Sequence, residues 1–329
     1  MYNQKYLNLM NIKYPYSTKG STLLQKGITE MPTIVSPILP KVGVCAIAGE
    51  SDSGKSSFLR ALAMDIATGK DQFLGWQINA TYNSVIYVST EDDEFAISYL
   101  LYKQVGSSSH YEMYENLRFI FETDDILDKI EEELNTAPAD IVIIDAFSDL
   151  YDGEINSSTK VRYYINKYSN IAKKFNCLVL YLHHTGKRTQ NLAPSKDNLL
   201  GSQGFEAKMR LVMELRKDPS DNNYRHLCIV KGNYLESSYK NESYKLEFLS
   251  NMTFRNTGIR VPFENLVPNN TKTDILETYK PKAIELLSNN ISKAKIYDLL
   301  KAEGLPIGRT KTYQWLNTLK SICPDSQEV

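Results

Sequence analysis

Long apolar runs, a surplus of one charge and closely spaced cysteines are all missing from this sequence. No uninterrupted apolar stretch approaches the roughly 18 to 20 residues that span a bilayer, and the opening MYNQKYLNLMNIKY has no apolar signal region. Membrane insertion and secretion are therefore not expected. Lysine and arginine number 38 against 39 aspartates and glutamates, a formal net charge of -1. A chain so balanced is no general polycation, so any nucleic acid must meet a local patch. The four cysteines, Cys45, Cys177, Cys228 and Cys323, lie far apart, three of them inside apolar runs. Neither a zinc ribbon nor a disulfide framework is readable, and the expected setting is a reducing cytoplasm.

What is present is a 329-residue chain, 42% hydrophobic and 23% charged, long enough for one large unit and a smaller one. Residues 1–38 read as a polar arm ending in a stretch punctuated by Pro32 and Pro37. Between 39 and 262, short apolar runs alternate with amphipathic segments. Strands are expected at 42–48, 84–89, 141–144 and 177–182. Phe58, Leu59, Leu62 and Ile66 share one face of a helix that Gly69 ends. Ile126, Ile130 and Leu134, then Val161, Ile165, Tyr168 and Ile171, mark two more. Buried strands alternating with helices predict an α/β fold with a mostly parallel sheet covered on both faces. After residue 208 the period becomes two (RLVMELR, HLCIVKG, YKLEFLS), which predicts an antiparallel extension at a sheet edge. Residues 263–273 read as a linker and 274–329 as a small helical unit resembling a helix-turn-helix or winged helix.

GESDSGKS at 49–56 fits G-x-x-x-x-G-K-[ST] and lies between an expected strand and helix, as a phosphate loop must. Its residues Gly49, Glu50, Ser51, Asp52, Ser53, Gly54, Lys55, Ser56 and Ser57 are the expected nucleotide contacts. The two glycines let the backbone curl so that its N–H groups and the helix N-terminus face a β-phosphate. Lys55 would reach the β- and γ-phosphates and Ser56 would ligate Mg²⁺, making ATP and Mg²⁺ the expected cofactors. Asp145 ends the aliphatic run IVIID at the carboxyl end of a strand, where open α/β sheets bind ligands. It is expected to hold Mg²⁺ through water; a strand merely meeting a turn has the same pattern. Asp149 reads as a solvent or cap residue. In YVSTEDDEF, Glu91 is the first acid able to orient a water against the γ-phosphate, although acids also suit a helix N-terminus for its dipole. In LHHTGK, His183 and His184 point to opposite faces of an extended strand and cannot both ligate one ion. His184 is a candidate γ-phosphate contact or a packed histidine.

Taken together, the phosphate loop, STEDDE after the second strand, IVIID on the third, HHTGK on the fourth, then GSQGFEAKMR and VKGNY resemble the RecA-fold ATPases of the plasmid RepA replicative-helicase group, over about residues 22–250. The resemblance implies a RecA-like core, a homo-oligomeric ring of six subunits, and ATP bound between them. It also implies that Glu91 is the catalytic carboxylate, His184 the γ-phosphate sensor, Arg210 a finger entering the neighbour's site and Lys231 its basic companion. Relatives often carry an arginine shortly after the acidic motif, where this chain has FAISYLLYK. Polar loops at 151–160 and 186–200 would face the ring pore, and Lys187, Arg188 and Lys196 suit phosphates of single-stranded DNA, or simply solvent.

The tail from 272 to 320 holds nine basic and five acidic residues. Its last helix would present Arg309, Lys311, Thr312 and Gln314 to duplex DNA while Trp315, Leu316 and Leu319 pack; a subunit-packing bundle uses the same pattern. The expected activity is that of an ATP-driven ring motor on DNA, a replicative helicase of a plasmid, phage or mobile element. The rivals are a DNA-binding ATPase that loads, mediates recombination or regulates transposition without unwinding, and a small-molecule P-loop kinase, whose Arg-rich lid and acceptor pocket are not readable here.

Overall fold

The central strands are buried along almost their whole length, so successive residues face two different cores and set how the molecule is layered. The computed structural model describes residues 16–107, 110–186, 189–201, 203–267, 272–305 and 307–320. Its elements begin with α1 (Gly20–Leu24), the paired β1 (Thr33–Val35) and β2 (Leu39–Pro40), then β3 (Gly43–Gly49) and α2 (Lys55–Ala67). A small hairpin of β4 (Gln72–Phe73) and β5 (Trp76–Gln77) leads to β6 (Val85–Ser89), α3 (Glu94–Val105) and β7 (Leu117–Ile120). Next come α4 (Ile126–Thr136), β8 (Ile141–Asp145), α5 (Phe147–Leu150), α6 (Ser158–Phe175) and β9 (Leu178–His184). The chain continues through α7 (Gln203–Lys208), β10 (Leu211–Lys217), β11 (Tyr224–Gly232), β12 (Glu242–Phe248) and β13 (Phe254–Pro262), then α8 (Lys272–Ser288), α9 (Lys293–Ala302) and α10 (Arg309–Lys320).

Nine strands form one sheet in the order β13-β12-β11-β10-β3-β9-β8-β6-β7. The block from β10 to β7 is parallel. Beyond it β11, β12 and β13 add antiparallel strands. The expected extension is therefore present, with one refinement: its first strand, β10, joins the core parallel to β3. Cys45, Ile47, Tyr87, Ile143 and Leu180 face one side, where Phe58, Leu59, Leu62 and Ile66 of α2 pack on them. The intervening Val44, Ala46, Val142, Ile144 and Val179 face the other, against Ile130 of α4 and Ile165 and Ile171 of α6. Each strand thus carries two cores, and a one-residue slip of register would exchange them.

The end of the expected polar arm is part of the core. Ile34, Val35 and Ile38 are at most 3% exposed and belong to the α2-side core, because β1 folds on β2 and Val35 bridges to Ile78. Residues 1–15 lie outside the described residues. Within the nine-stranded sheet the two strands that the sequence pattern does not announce, β7 and β13, are its outer edges, and the short pairs β1–β2 and β4–β5 are likewise unannounced. In the stretch read as a linker, 263–266 forms a 3-10 turn whose Leu266 is buried. The tail forms three helices around a separate cluster of Ala283, Ile296, Leu300, Leu305, Leu316 and Leu319. Among the described residues no helix is long and apolar enough to cross a membrane.

Candidate nucleotide site

Parallel strands place all their carboxyl ends on one edge, and Gly49 pairs with His184 there while Ser89 pairs with Asp145. The phosphate loop leaves β3 at this edge. A Cβ on Gly49 would collide with the Leu215 carbonyl oxygen, and Gly54 sits at φ 93°, a left-handed position that also brings it against Phe254. Only glycine meets both demands without strain. Lys55 Nζ donates to Glu50 O at 2.7 Å, and Ser53 Oγ donates to the same carbonyl at 2.9 Å. From β11, Arg225 Nε donates to Ser53 O at 2.9 Å, fixing the loop from outside. Burial lowers the Lys55 pKa, against the opposing pull of Asp145 and Glu91.

A cavity of about 480 Å³ opens over the loop, lined by Ser51, Asp52, Gly54, Lys55, Ser56 and Ser57. Glu91, Asp92 and Arg60 stand on one wall and His184 on another, while Phe248 and Met252 close the side toward β12 and β13. Glu91 is pushed up by partial desolvation and by the carboxylates of Asp149, Asp145 and Asp92, with Lys55 opposing. A carboxylate with a raised pKa next to a phosphate loop is suited to accept a proton from water. The two histidines divide as their alternation requires. His183 is fully buried, stacks on Phe205 at 4.2 Å and bonds Leu200 O at 2.8 Å, whereas half-buried His184 faces the cavity. Burial, then the Lys55 charge, lowers His184, so its neutral ring meets the site.

Asp145 lies at the end of β8, with its carboxylate hydrogen-bonded by Tyr87 and by Ser56. Burial raises its pKa and these two bonds oppose the rise. Ser56 and Asp145 are thus adjacent oxygen donors beside the phosphate loop, which fits an Mg²⁺ held mainly by the nucleotide. No cluster of three His, Cys, Asp or Glu able to hold a metal by itself occurs among the described residues. Asp149 is exposed, yet it also accepts from Thr90 Oγ1 at 2.5 Å and so helps tie down the acidic loop.

Other candidates lie apart from this cavity. Arg210 N donates to Val44 O near the start of β3, five residues before Gly49 and so roughly 16 Å away along the strand. Its exposed side chain points past Tyr234, on the sheet's amino edge. Lys231 donates to Glu206 at 2.8 Å, and Lys196 lies 3.7 Å from the same carboxylate. Lys187 and Arg188 lie outside the described residues. In the tail, Arg309 and Lys311 are exposed, with Arg309 Nε donating to Tyr313 Oη at 3.0 Å. Thr312, expected on the same face, is instead fully buried and donates to Gly308 O at 3.2 Å, because it falls on the inward side of α10.

Sequence reading missed Arg60, Tyr87, Arg225, Phe248 and Met252. Tyr87 opens the segment YVSTEDDEF and Phe248 falls in the period-two run YKLEFLS, whereas Arg60, Arg225 and Met252 sit in no motif. No curated protein matches the chain. A family model described as an AAA domain matches residues 18–190, more than half of the chain, and spans the phosphate loop, the acidic loop, Asp145 and His184. Arg210 and Lys231 lie beyond the match. With this domain carried on a RecA-like P-loop core, the chain belongs to the AAA-domain family of nucleotide-binding ATPases.

Proposed function

We propose that this protein is an ATP-hydrolysing, ring-forming motor that acts on DNA, resembling the RepA-type replicative helicases. The observation that carries the reading is the separation of Arg210 from its own phosphate loop: exposed at the amino edge, it is a strand's length from the cavity it would have to serve. An arginine so placed could complete only a neighbour's site, which calls for subunits joined head to tail; a closed ring is the form of such an array that the motor reading takes, an open helix the other.

Within one site, the loop N–H groups and Lys55 bind the triphosphate, and Phe248 and Met252 offer an apolar wall to its base. Ser56 and Asp145 would hold Mg²⁺, which supplies charge neutralisation on the phosphate oxygens. Glu91 orients water and takes its proton, and His184 contacts the γ-phosphate. Leu200 N donates to His184 O at 2.9 Å, so the segment 189–200 is anchored at its end to that histidine's backbone. Movement at His184 would pass to a loop that carries Lys196 and faces DNA. The C-terminal helices would add duplex affinity through Arg309 and Lys311.

A second reading, a DNA-binding ATPase that loads or regulates without unwinding, draws on one feature: Lys196 and Lys231 both lie against Glu206, so these two cations, which the motor would use on DNA and on a neighbour's phosphate, are engaged within the single subunit. ATPase assays with and without single-stranded DNA, a strand-displacement assay and a mass measurement with an ATP analogue test the proposal together. A ring with DNA-stimulated turnover and displacement supports the motor. DNA-stimulated turnover with no displacement gives the second reading, and a persistent monomer removes the trans role of Arg210.

A further inference from the structure

A buried polar chain runs behind the nucleotide cavity and joins its two walls. On the β12 and β13 side, Gln104 Nε2 donates to Met252 O at 3.0 Å and to Ser57 O at 2.9 Å. Gln104 Oε1 in turn accepts from Arg60 Nε at 3.3 Å. Arg60 Nη1 then lies 3.9 Å from Asp92 Oδ2, in the acidic loop that carries Glu91.

Arg60 is 2% exposed, and its Nη1 is buried with no hydrogen-bond partner. Removing a guanidinium from water is expensive unless an anion compensates it, so its place in the core of α2 asks for a reason. The neighbouring Leu59, Ala61 and Leu62 are apolar and fully or nearly buried, and packing alone would be met by a leucine. The anion that Arg60 pairs with is Asp92, and the Arg60 charge is also felt by Asp145.

The acidic loop is already fastened at both ends. Ser89 Oγ donates to Asp92 O at 2.7 Å, and Asp93 caps α3 by accepting from Ala96 N at 2.8 Å. On the amino side of Glu91, Thr90 N donates to Asp145 O at 2.8 Å; on its carboxyl side, the Asp92 side chain adds the tie that reaches across to α2.

We propose that Arg60 is a positioning residue which, through Asp92, holds Glu91 over the phosphate loop and, through Gln104, links that position to the Met252 wall of the cavity. This rests on the ATPase reading and deepens it. Although Arg60 lines the cavity, the role assigned to it acts through Asp92, on where the carboxylate stands. Displacing a catalytic group by about 1 Å is enough to lose two orders of magnitude in rate.

The full-length chain carrying Asp92→Asn, Arg60→Met, Arg60→Lys or the pair Arg60→Met with Asp92→Asn is assayed for ATP turnover and for affinity toward a fluorescent ATP analogue. Asp92→Asn and Arg60→Met should each lower kcat about 10- to 100-fold while affinity stays within about twofold. The pair should be no worse than the worse single change, since both break one tie. Arg60→Lys should recover part of the loss. The Asp92 side chain is 41% exposed, so that variant stays readable even if Arg60→Met fails to fold. Unchanged kcat in Asp92→Asn, affinity falling in step with kcat, or losses that multiply in the pair would each overturn the role. A wild-type chain with no ATP turnover overturns both this inference and the ATPase reading. Wild-type turnover that is insensitive to Asp92→Asn overturns this inference alone.

Discussion

Tyr87 donates its phenolic hydroxyl to Asp145 Oδ2 at 2.6 Å, and both side chains are buried between adjacent parallel strands. The phenol orients the carboxylate together with the Ser56 hydroxyl. Tyr87→Phe keeps the ring, which packs near Phe119, and removes only the donor. Partners of this kind are worth about 10- to 100-fold in metal affinity elsewhere. The Mg²⁺ concentration for half-maximal ATP turnover should rise about tenfold in Tyr87→Phe, with the melting temperature little changed. An unchanged Mg²⁺ requirement would detach Tyr87 from the metal role of Asp145.

That relationship also marks what could be read in advance and what could not. The segment from β3 through the phosphate loop to α2 was legible because apolar run, glycines, Lys55 and helical stripe all agree. The parallel sheet followed from short strands that are apolar throughout. Edge strand β7, with Arg118 beside Phe119, and β13, with Arg255, Asn256 and Gly258, carry no such run, because one edge of each meets no other strand. Contacts across the fold were invisible for a different reason. Tyr87 meets Asp145 through strand register, and Arg225 reaches Ser53 from 172 residues away, so neither has a spacing to betray it.

His183 gives the fold an acid sensitivity that its neighbour His184 does not explain. Burial, with the charges of His184 and Lys55 adding to it, lowers its pKa from 6.5 to about 4. In the unfolded chain the imidazole takes a proton below about 6.5, while the folded state refuses it until about 4. Stability should therefore decline as pH falls from 6.5 toward 4, by up to about 3 kcal/mol from this group. His183→Gln keeps a donor for Leu200 O and cannot titrate. Its urea midpoint should fall less than the wild type's between pH 7 and pH 4; parallel curves would show that His183 does not titrate as placed.

Glu91 and Arg210 should separate chemistry within a subunit from chemistry between subunits. Glu91→Gln is expected to bind ATP and assemble yet lose turnover, since the water loses its proton acceptor. Arg210→Ala should lose turnover as well, by as much as about 10³-fold if the guanidinium meets a neighbour's phosphate. Mixed assemblies of the two variants contain interfaces where an intact Glu91 faces an intact Arg210. Part of the activity should return on mixing. Demonstrated hetero-assembly with no recovery would confine Arg210 to a local role beside Tyr234.

The C-terminal helices should contribute DNA affinity and leave the ATP chemistry intact, and the structure sets where to cut. Leu266 is buried and lines a small cavity with Leu215 and Glu214, so truncation after Val267 spares the core where a cut at Pro262 would strip it. The truncated chain should keep DNA-independent turnover within a few-fold, because the phosphate loop, Glu91, Asp145 and His184 all precede it. Duplex binding should weaken. Arg309→Gln and Lys311→Gln in the full chain should each reproduce part of that loss, since both side chains are exposed on α10 and neither supports the Leu300, Leu316 and Leu319 cluster. Each phosphate contact removed flattens the dependence of log affinity on log salt by about one unit. Titrations over a salt series measure the slope directly. Unaltered slopes, with a truncated chain that no longer assembles, would make the three helices an assembly element.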